Sequence, residues 1–337
     1  MDMHDSVIVG FRKSGGRRVR ETRMNVRVST ERDVSDVIRG RVDRKEMERG
    51  KIVVEKVGSQ SSVTRCFSQY PLKFIIPTKA GRSDIDAVWI YTLTYGGGIV
   101  SGDCISFDLI IQDACTAVLT TQASTKVYKS VAIKCSQQIM EARIGSDALL
   151  VVIPDPVTCF STARYSQKQV FRIVSGSSLL VVDWITSGRH QSGEKWDFSL
   201  YKSTNHIYLD DKPLFLDTVL LENGNVTSIA ERMHDYQVIA MVILLGPKLQ
   251  DIQDQVQEDV KKMMSEQLHA PSAGGRSKVC NSVGYAKPSL IASCNSFGPK
   301  GIGVIIRISA TTTEAVYRFL HRQLASMEPM VGLCPYP

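Results

Sequence analysis

From Gly50 onward apolar and polar residues alternate with a period of two, broken by short turn signals, and this predicts a sheet protein. The pattern predicts twelve strands, at 51–57, 62–68, 87–95, 104–111, 117–121, 148–153, 169–174, 179–185, 196–203, 205–209, 238–245 and 303–309. The runs "LLVVIP", "LLVVDWI" and "VIAMVILL" are apolar on both faces, so the sheets that hold them must be covered on both sides. Two segments switch to a helical period. From Pro247 to Leu268 apolar residues recur at Leu249, Ile252, Val256, Val260 and Met263, with Pro247 suited to the first turn. A second helix is predicted to begin at a capping box, Thr311-x-x-Glu314, with Val316, Phe319, Leu320 and Leu324 on one face. Between the helices, 269–288 is rich in Ser, Gly and Lys and reads as a mobile surface loop.

Composition narrows the class. With 337 residues, 43% hydrophobic and 22% charged, the chain has the make-up of a globular protein large enough for a substantial core. Its longest wholly apolar run, Val238 to Leu245, is far shorter than the roughly 18 residues of a membrane helix, so a soluble protein without membrane association is expected. The eight cysteines show no CxxC spacing and fall mostly in strand-like segments, which reads as the buried reduced thiols of a cytoplasmic protein. The net charge of +7 loses its force once divided along the chain. Residues 1–46 hold 12 Lys/Arg against 8 Asp/Glu, leaving 29 against 26 for the rest, too even a balance for a nucleic-acid surface.

Those first 46 residues differ in character from the rest of the chain. They are Arg-rich, with Phe11 as their only aromatic and no sustained apolar period, and are expected to be disordered. Acidic residues such as Glu21, Glu31 and Asp33 argue against a transit peptide.

Four patterns invite chemistry. Gly96-Gly97-Gly98 and Gly102 resemble a phosphate loop, but no Lys-Ser or Lys-Thr comes after them and the next segment reads as a strand, so tight turns account for them. Asp183, Ser187 and His190, in "DWITSGRH", hold the residue types of a hydrolase triad without a GxSxG elbow. The six histidines, at 4, 190, 206, 234, 269 and 321, are not spaced to share a helix turn or strand face, so no tightly bound metal or other cofactor is expected, and His190 is the minor candidate ligand. Asp103 closes "GGGIVSGD" and Glu194 closes "GRHQSGE". Taken alone, Asp103 reads as a turn acceptor and Glu194 as the partner of Arg189 or Lys195 in a solvated ion pair.

The stretch 95–130, "YGGGIVSGDCISFDLIIQDACTAVLTTQASTKVYKS", resembles the core of the urease accessory protein D family (UreD, or UreH in some bacteria). "VEKVG", "SSVTRCFSQYPLKFIIP", "VVIPDPVTCFSTARY", "DWITSGRHQSGEKWDF" and "IASCNSFGP" stand in family order, and "QSGEKWDF" has the plant form. The resemblance implies a mainly β fold, a β-helix-like stack of sheets flanked by two helices in the C-terminal third, forming one domain over 47–337. It places the family start near Met47, so that 1–46 reads as an extension of the gene model or a disordered tail. It also implies a non-enzymatic maturation factor that binds apo-urease, a UreF-type accessory protein and a UreG-type GTPase. Nickel would be in transit, along an internal passage to which Asp103 and Glu194 would contribute; Lys126 and Tyr128 either face the same interior or simply alternate across a strand. The competing readings are a β-fold hydrolase built on the 183–194 region and a scaffold with no metal role.

Overall fold

The computed structural model describes residues 50–78, 85–224, 227–269 and 288–337. The expectations for 1–46 and, beyond its two end residues, for the loop 269–288 fall outside them.

The chain coils. After the hairpin of β1 (Gly50–Val57) and β2 (Gln60–Ser68) come β3 (Leu72–Ile75) and β4 (Val88–Thr94), and then strands that pass back and forth between two sheets. They are β5 (Cys104–Ile111), β6 (Thr116–Thr121), β7 (Thr125–Val127), β8 (Ser136–Ile144), β9 (Leu149–Val152), β10 (Val157–Cys159), β11 (Arg164–Ile173), β12 (Ser178–Thr186) and β13 (Leu200–Leu209). The last strands are β14 (Lys212–Glu222), β15 (Val238–Leu245), β16 (Leu290–Phe297) and β17 (Gly303–Ala310). One sheet runs β14-β13-β11-β8-β5-β1-β2; the other runs β16-β17-β15-β12-β9-β6-β4-β3, with β7 and β10 paired beside it. Within the coils β5 pairs parallel with β8, β8 with β11 and β11 with β13, while opposite them β4, β6, β9 and β12 also pair in parallel. Each coil therefore stacks on the one before it, as in a β-helix.

Alternation along each strand sorts side chains into two cores. Ile52, Leu109, Leu119, Phe171 and Val181 fill the space between the sheets. Leu180, Val182, Trp184, Val242 and Ile306 face the other way, under the helices Gln250–His269 and Thr313–Leu324, which is why β12 is buried on both faces. Trp184 packs edge-on against Tyr317 at 4.8 Å, tying the second helix to the sheet.

The helical positions expected from the period are met: Leu249, Ile252, Val256 and Val260 are buried, and a short turn at Pro247–Leu249 precedes the long helix. The second helix starts differently from the expectation. Thr312, not Thr311, is its N-cap, accepting from the amide of Ala315 at 3.2 Å. Thr311 is instead tied to the carbonyl of Ser289, and Glu314 pairs with Arg318 one turn on. A capping box does occur in the helix Ile229–Met233, between Ser228 and Glu231. Strands number seventeen among the described residues rather than twelve; 200–203 and 205–209 belong to one strand, β13, whereas 196–199, expected as strand, lie in the loop before it, where Trp196 has a positive φ.

Candidate functional site

A line of polar side chains runs through the core between the sheets. On β11 the inward positions are Tyr165, Gln167 and Gln169, registered against Tyr201, Ser203 and Asn205 of β13. From the facing sheet, Asp183 projects from the same row of β12 as Leu179, Val181 and Ile185. Its carboxylate accepts from Gln167 Nε2 at 2.7 Å, Ser203 Oγ at 2.5 Å, Asn205 Nδ2 at 2.7 Å and Tyr201 OH at 3.5 Å. All four donors are neutral. Burial pushes the Asp183 carboxyl above its ordinary range, while the bonds from Ser203, Asn205 and Gln167 pull the other way. Ionised, this carboxylate is electrostatically costly at such depth, since no Lys or Arg is paired with it among the described residues, and a cation beside it would favour that ionised form.

The line continues in both directions along the stack. Towards the first coils a cavity of about 50 Å³ is lined by Thr121, Thr125, Gln138, Gln167 and Asp183. It shares Thr92, Phe107, Thr121, Thr125 and Gln138 with a larger space of about 180 Å³, whose outer wall includes Gly97, Gln122, Ala123 and Lys126. Those four residues are exposed, so the cavity reaches the surface beside the glycine turn. In the other direction Gln169 donates to Asn205 at 3.0 Å, and Asn205 is registered against Asp217 of β14. Asp217 is ion-paired with Arg307 at 2.7 Å, and its Oδ2 is buried without a hydrogen-bond partner.

The glycine turn is held by geometry. Gly96, Gly97 and Gly102 have positive φ, and a Cβ on Gly98 would meet the carbonyl of Lys126 at 2.7 Å. Asp103 closes this turn, its Oδ2 accepting from the amide of Val100 at 2.9 Å. Tyr128 donates to the carbonyl of Gly96 at 3.1 Å and packs edge-on against Phe160, over which the Arg189 guanidinium stacks at 4.0 Å. Arg189 in turn forks onto Glu194, with Nε to Oε2 at 3.0 Å and the terminal amine to Oε1 at 2.5 Å. The Glu194 partner is thus Arg189 and not Lys195, and the carboxylate is buried rather than solvated. The Arg189 bonds hold it below the ordinary carboxylate range against the opposing pull of burial. Asp103, in the connection 95–103, and Glu194, in the connection 187–199, therefore stand in the first and the last of the four long loops at one end of the stack, and neither is among the residues lining the cavity. His190 lies exposed in the short turn His190–Ser192 of the same end.

Asp183, Ser187 and His190 do not converge. Asp183 faces the core, whereas the Ser187 hydroxyl donates to Gln237 at 2.6 Å. Among the described residues no three His, Cys, Asp or Glu side chains gather to hold a metal ion, and no helix is long and apolar enough to cross a membrane. The polar line itself escapes a reading of the sequence because its members look like breaks in strands. Its signal is Gln, Ser and Asn at alternate positions of "YSQKQ" and "YKSTN".

A family model described as UreD urease accessory protein matches residues 48–336. Urease accessory protein D of Arabidopsis thaliana is 64% identical over 293 residues, covering 86% of this chain and 100% of that protein. The protein of that name from Oryza sativa subsp. japonica is 60% identical over 290 residues, covering 86% and 94%. Urease accessory protein UreD of Anaeromyxobacter sp. is 30% identical over 287 residues, covering 85% and 88%.

Proposed function

The chain belongs to the UreD urease accessory protein family and so has a role in urease maturation, and from that premise we propose that nickel passes through the interior of its β-stack on the way to apo-urease. The observation that carries this reading is the polar line from the glycine turn to Asp183 and on to Asp217. Amide, hydroxyl and carboxylate oxygens are ligands that nickel accepts, and a single uncompensated carboxylate attracts a dication without forming the closed cage that would retain it. The chain acts in company with apo-urease, a UreF-type protein and a UreG-type GTPase, in the cytoplasm, and turns over no substrate of its own. Asp103 and Glu194 serve at the loop end, where Asp103 shapes the turn beside the opening and Glu194 offers a carboxylate that an arriving cation would contest with Arg189. His190 stands beside them as an exposed imidazole. The hydrolase reading has the weaker support, since the Ser187 hydroxyl is bonded to Gln237, the Asp183 carboxylate to core donors, and His190 is exposed in a loop.

The test is nickel per urease active site, normalised to co-purified complex. Asp183→Asn keeps size and removes charge, and is expected to cut loading while the complex still forms. Because an amide among four donors also costs stability, Gln138→Leu, which makes the wall shared by the two spaces apolar and leaves Asp183 bonded, serves as the second variant. Normal loading by both, in complexes of normal yield, would exclude the interior route. Glu194→Gln and Asp103→Asn apply the same measurement to the loop end.

A further inference from the structure

The loop end carries a patch whose surface chemistry the interior route does not explain. Val100, Val131 and Ile133 are 53%, 67% and 88% exposed. Their two loops are locked together, with the amide of Val131 donating to Ser101 Oγ at 2.8 Å, the amide of Gly102 to Ser136 Oγ at 3.2 Å and Ser136 Oγ to the carbonyl of Val100 at 2.9 Å. The side chains are therefore presented by a hydrogen-bonded surface rather than by loose segments. At the start of the glycine turn Tyr95, just after β4, stacks at 5.9 Å on Tyr70, just before β3, the two being 49% and 72% exposed. Lys126, Lys129 and Lys134, in the same connection 122–135 as Val131 and Ile133, are exposed, the Lys134 side chain lies against Gly102, and none of the three is in an ion pair among the described residues. Asp103, the carboxylate nearest in sequence, is committed to its own turn.

We propose that this patch of Val100, Val131 and Ile133 with Lys126, Lys129 and Lys134 is a docking surface for a protein of the urease-maturation assembly that presents an apolar centre ringed by Asp and Glu. The inference rests on the maturation reading and adds to it the place and the chemistry of one contact. Exposed apolar side chains at the centre with charge around them are the anatomy of a protein interface. Three exposed lysines with no carboxylate paired to them select an acidic partner and speed its encounter. The same charge of one sign argues against a second copy, because a two-fold contact through this patch would bring like charges together. It argues against a bilayer as well, since three lysines contribute about 1 kcal/mol each at an anionic surface, too little to hold a folded protein there. Lys126 also lines the outer part of the cavity, so a partner on the patch would sit at the opening.

The experiment measures binding of the full chain to purified apo-urease and to each purified accessory protein by biolayer interferometry, at low and high salt. Wild type is expected to bind at least one of them with an on-rate that falls as salt rises. Val131→Asp/Ile133→Asp is expected to weaken that binding at least 10-fold, and Lys129→Glu/Lys134→Glu to slow association and flatten its salt dependence, both at wild-type melting temperature. If wild type binds none of these proteins, the maturation reading fails at its root. If wild type binds and both double variants bind equally well, the patch proposal alone is overturned. Two other results also overturn it: a concentration-dependent dimer of the pure chain that Val131→Asp/Ile133→Asp abolishes, or patch-dependent binding to phosphatidylcholine/phosphatidylserine vesicles.

Discussion

The two ends of the stack are made from the same coils and differ in almost every other respect. At one end each coil turns in about four residues, at 112–115, 145–148 and 174–177. These turns are sewn to one another: Gly145 N to the carbonyl of Ile111 at 2.8 Å, Ala114 N to that of Ser146 at 2.9 Å, Ser178 N to that of Ala148 at 2.8 Å. Asp113 adds a bond from Ser146 N at 2.8 Å, and Ser177 Oγ donates to the carbonyl of Gly145 at 2.9 Å. At the other end the connections 95–103, 122–135, 153–163 and 187–199 are long enough to hold β7, β10, the Arg189–Glu194 pair and the exposed apolar patch. Short turns set the register of the coils and leave no residues to spare. Long loops are free of that duty and can carry chemistry, and the cavity opens among them.

That division is open to attack by mutation, with the largest expected loss at the tight end. A Cβ at Gly145 would stand 2.3 Å from Asp113 Oδ1 and 2.7 Å from its amide nitrogen. Gly145→Val should therefore cost about 3 kcal/mol in urea unfolding, and an unchanged midpoint would show that the turns can yield. Asp113→Ala, which leaves the Ser146 amide without its acceptor, should cost about 1 kcal/mol by the same measurement. If it costs nothing, stacked backbone bonds alone hold this end.

At the loop end the expected effects are smaller and of a different kind. The folded-state pKa of Glu194 is depressed, so its contribution is present above the ordinary carboxylate pKa and is lost as pH falls through the lower folded value. The stability gap between wild type and Glu194→Gln should accordingly be open at pH 7 and close towards pH 3 in thermal melts across that range. A gap independent of pH would mean that the loop is held without this pair. The smallest change is expected for Ile133→Ser, which should stay within about 0.5 kcal/mol of wild type because the side chain is 88% exposed. A larger loss would place that residue in the fold and not in an interface.

Period and composition alone mark β5 and β15 at their observed bounds, the two covering helices and the class of fold. Those elements obey one rule each, apolar inward and polar outward, and a local rule can be read locally. Beyond the strands β3, β7, β10, β14 and β16, which the period does not mark, three failures share a cause. Periodicity starts β11 at 169 instead of 164, cuts β13 at Thr204 and misses β8, and in each the disturbing residues are polar side chains turned inward: Tyr165 and Gln167, Ser203 and Asn205, Gln138. Likewise the motif residues Asp103 and Glu194 stand out in the sequence, while Asp183 reads there only as part of a triad that its neighbours do not form. Whether a buried polar residue breaks a strand or belongs to a polar line depends on what faces it across the core. Gln167 and Asp183 lie sixteen residues apart on different sheets, and only the coiling of the chain brings them within 2.7 Å.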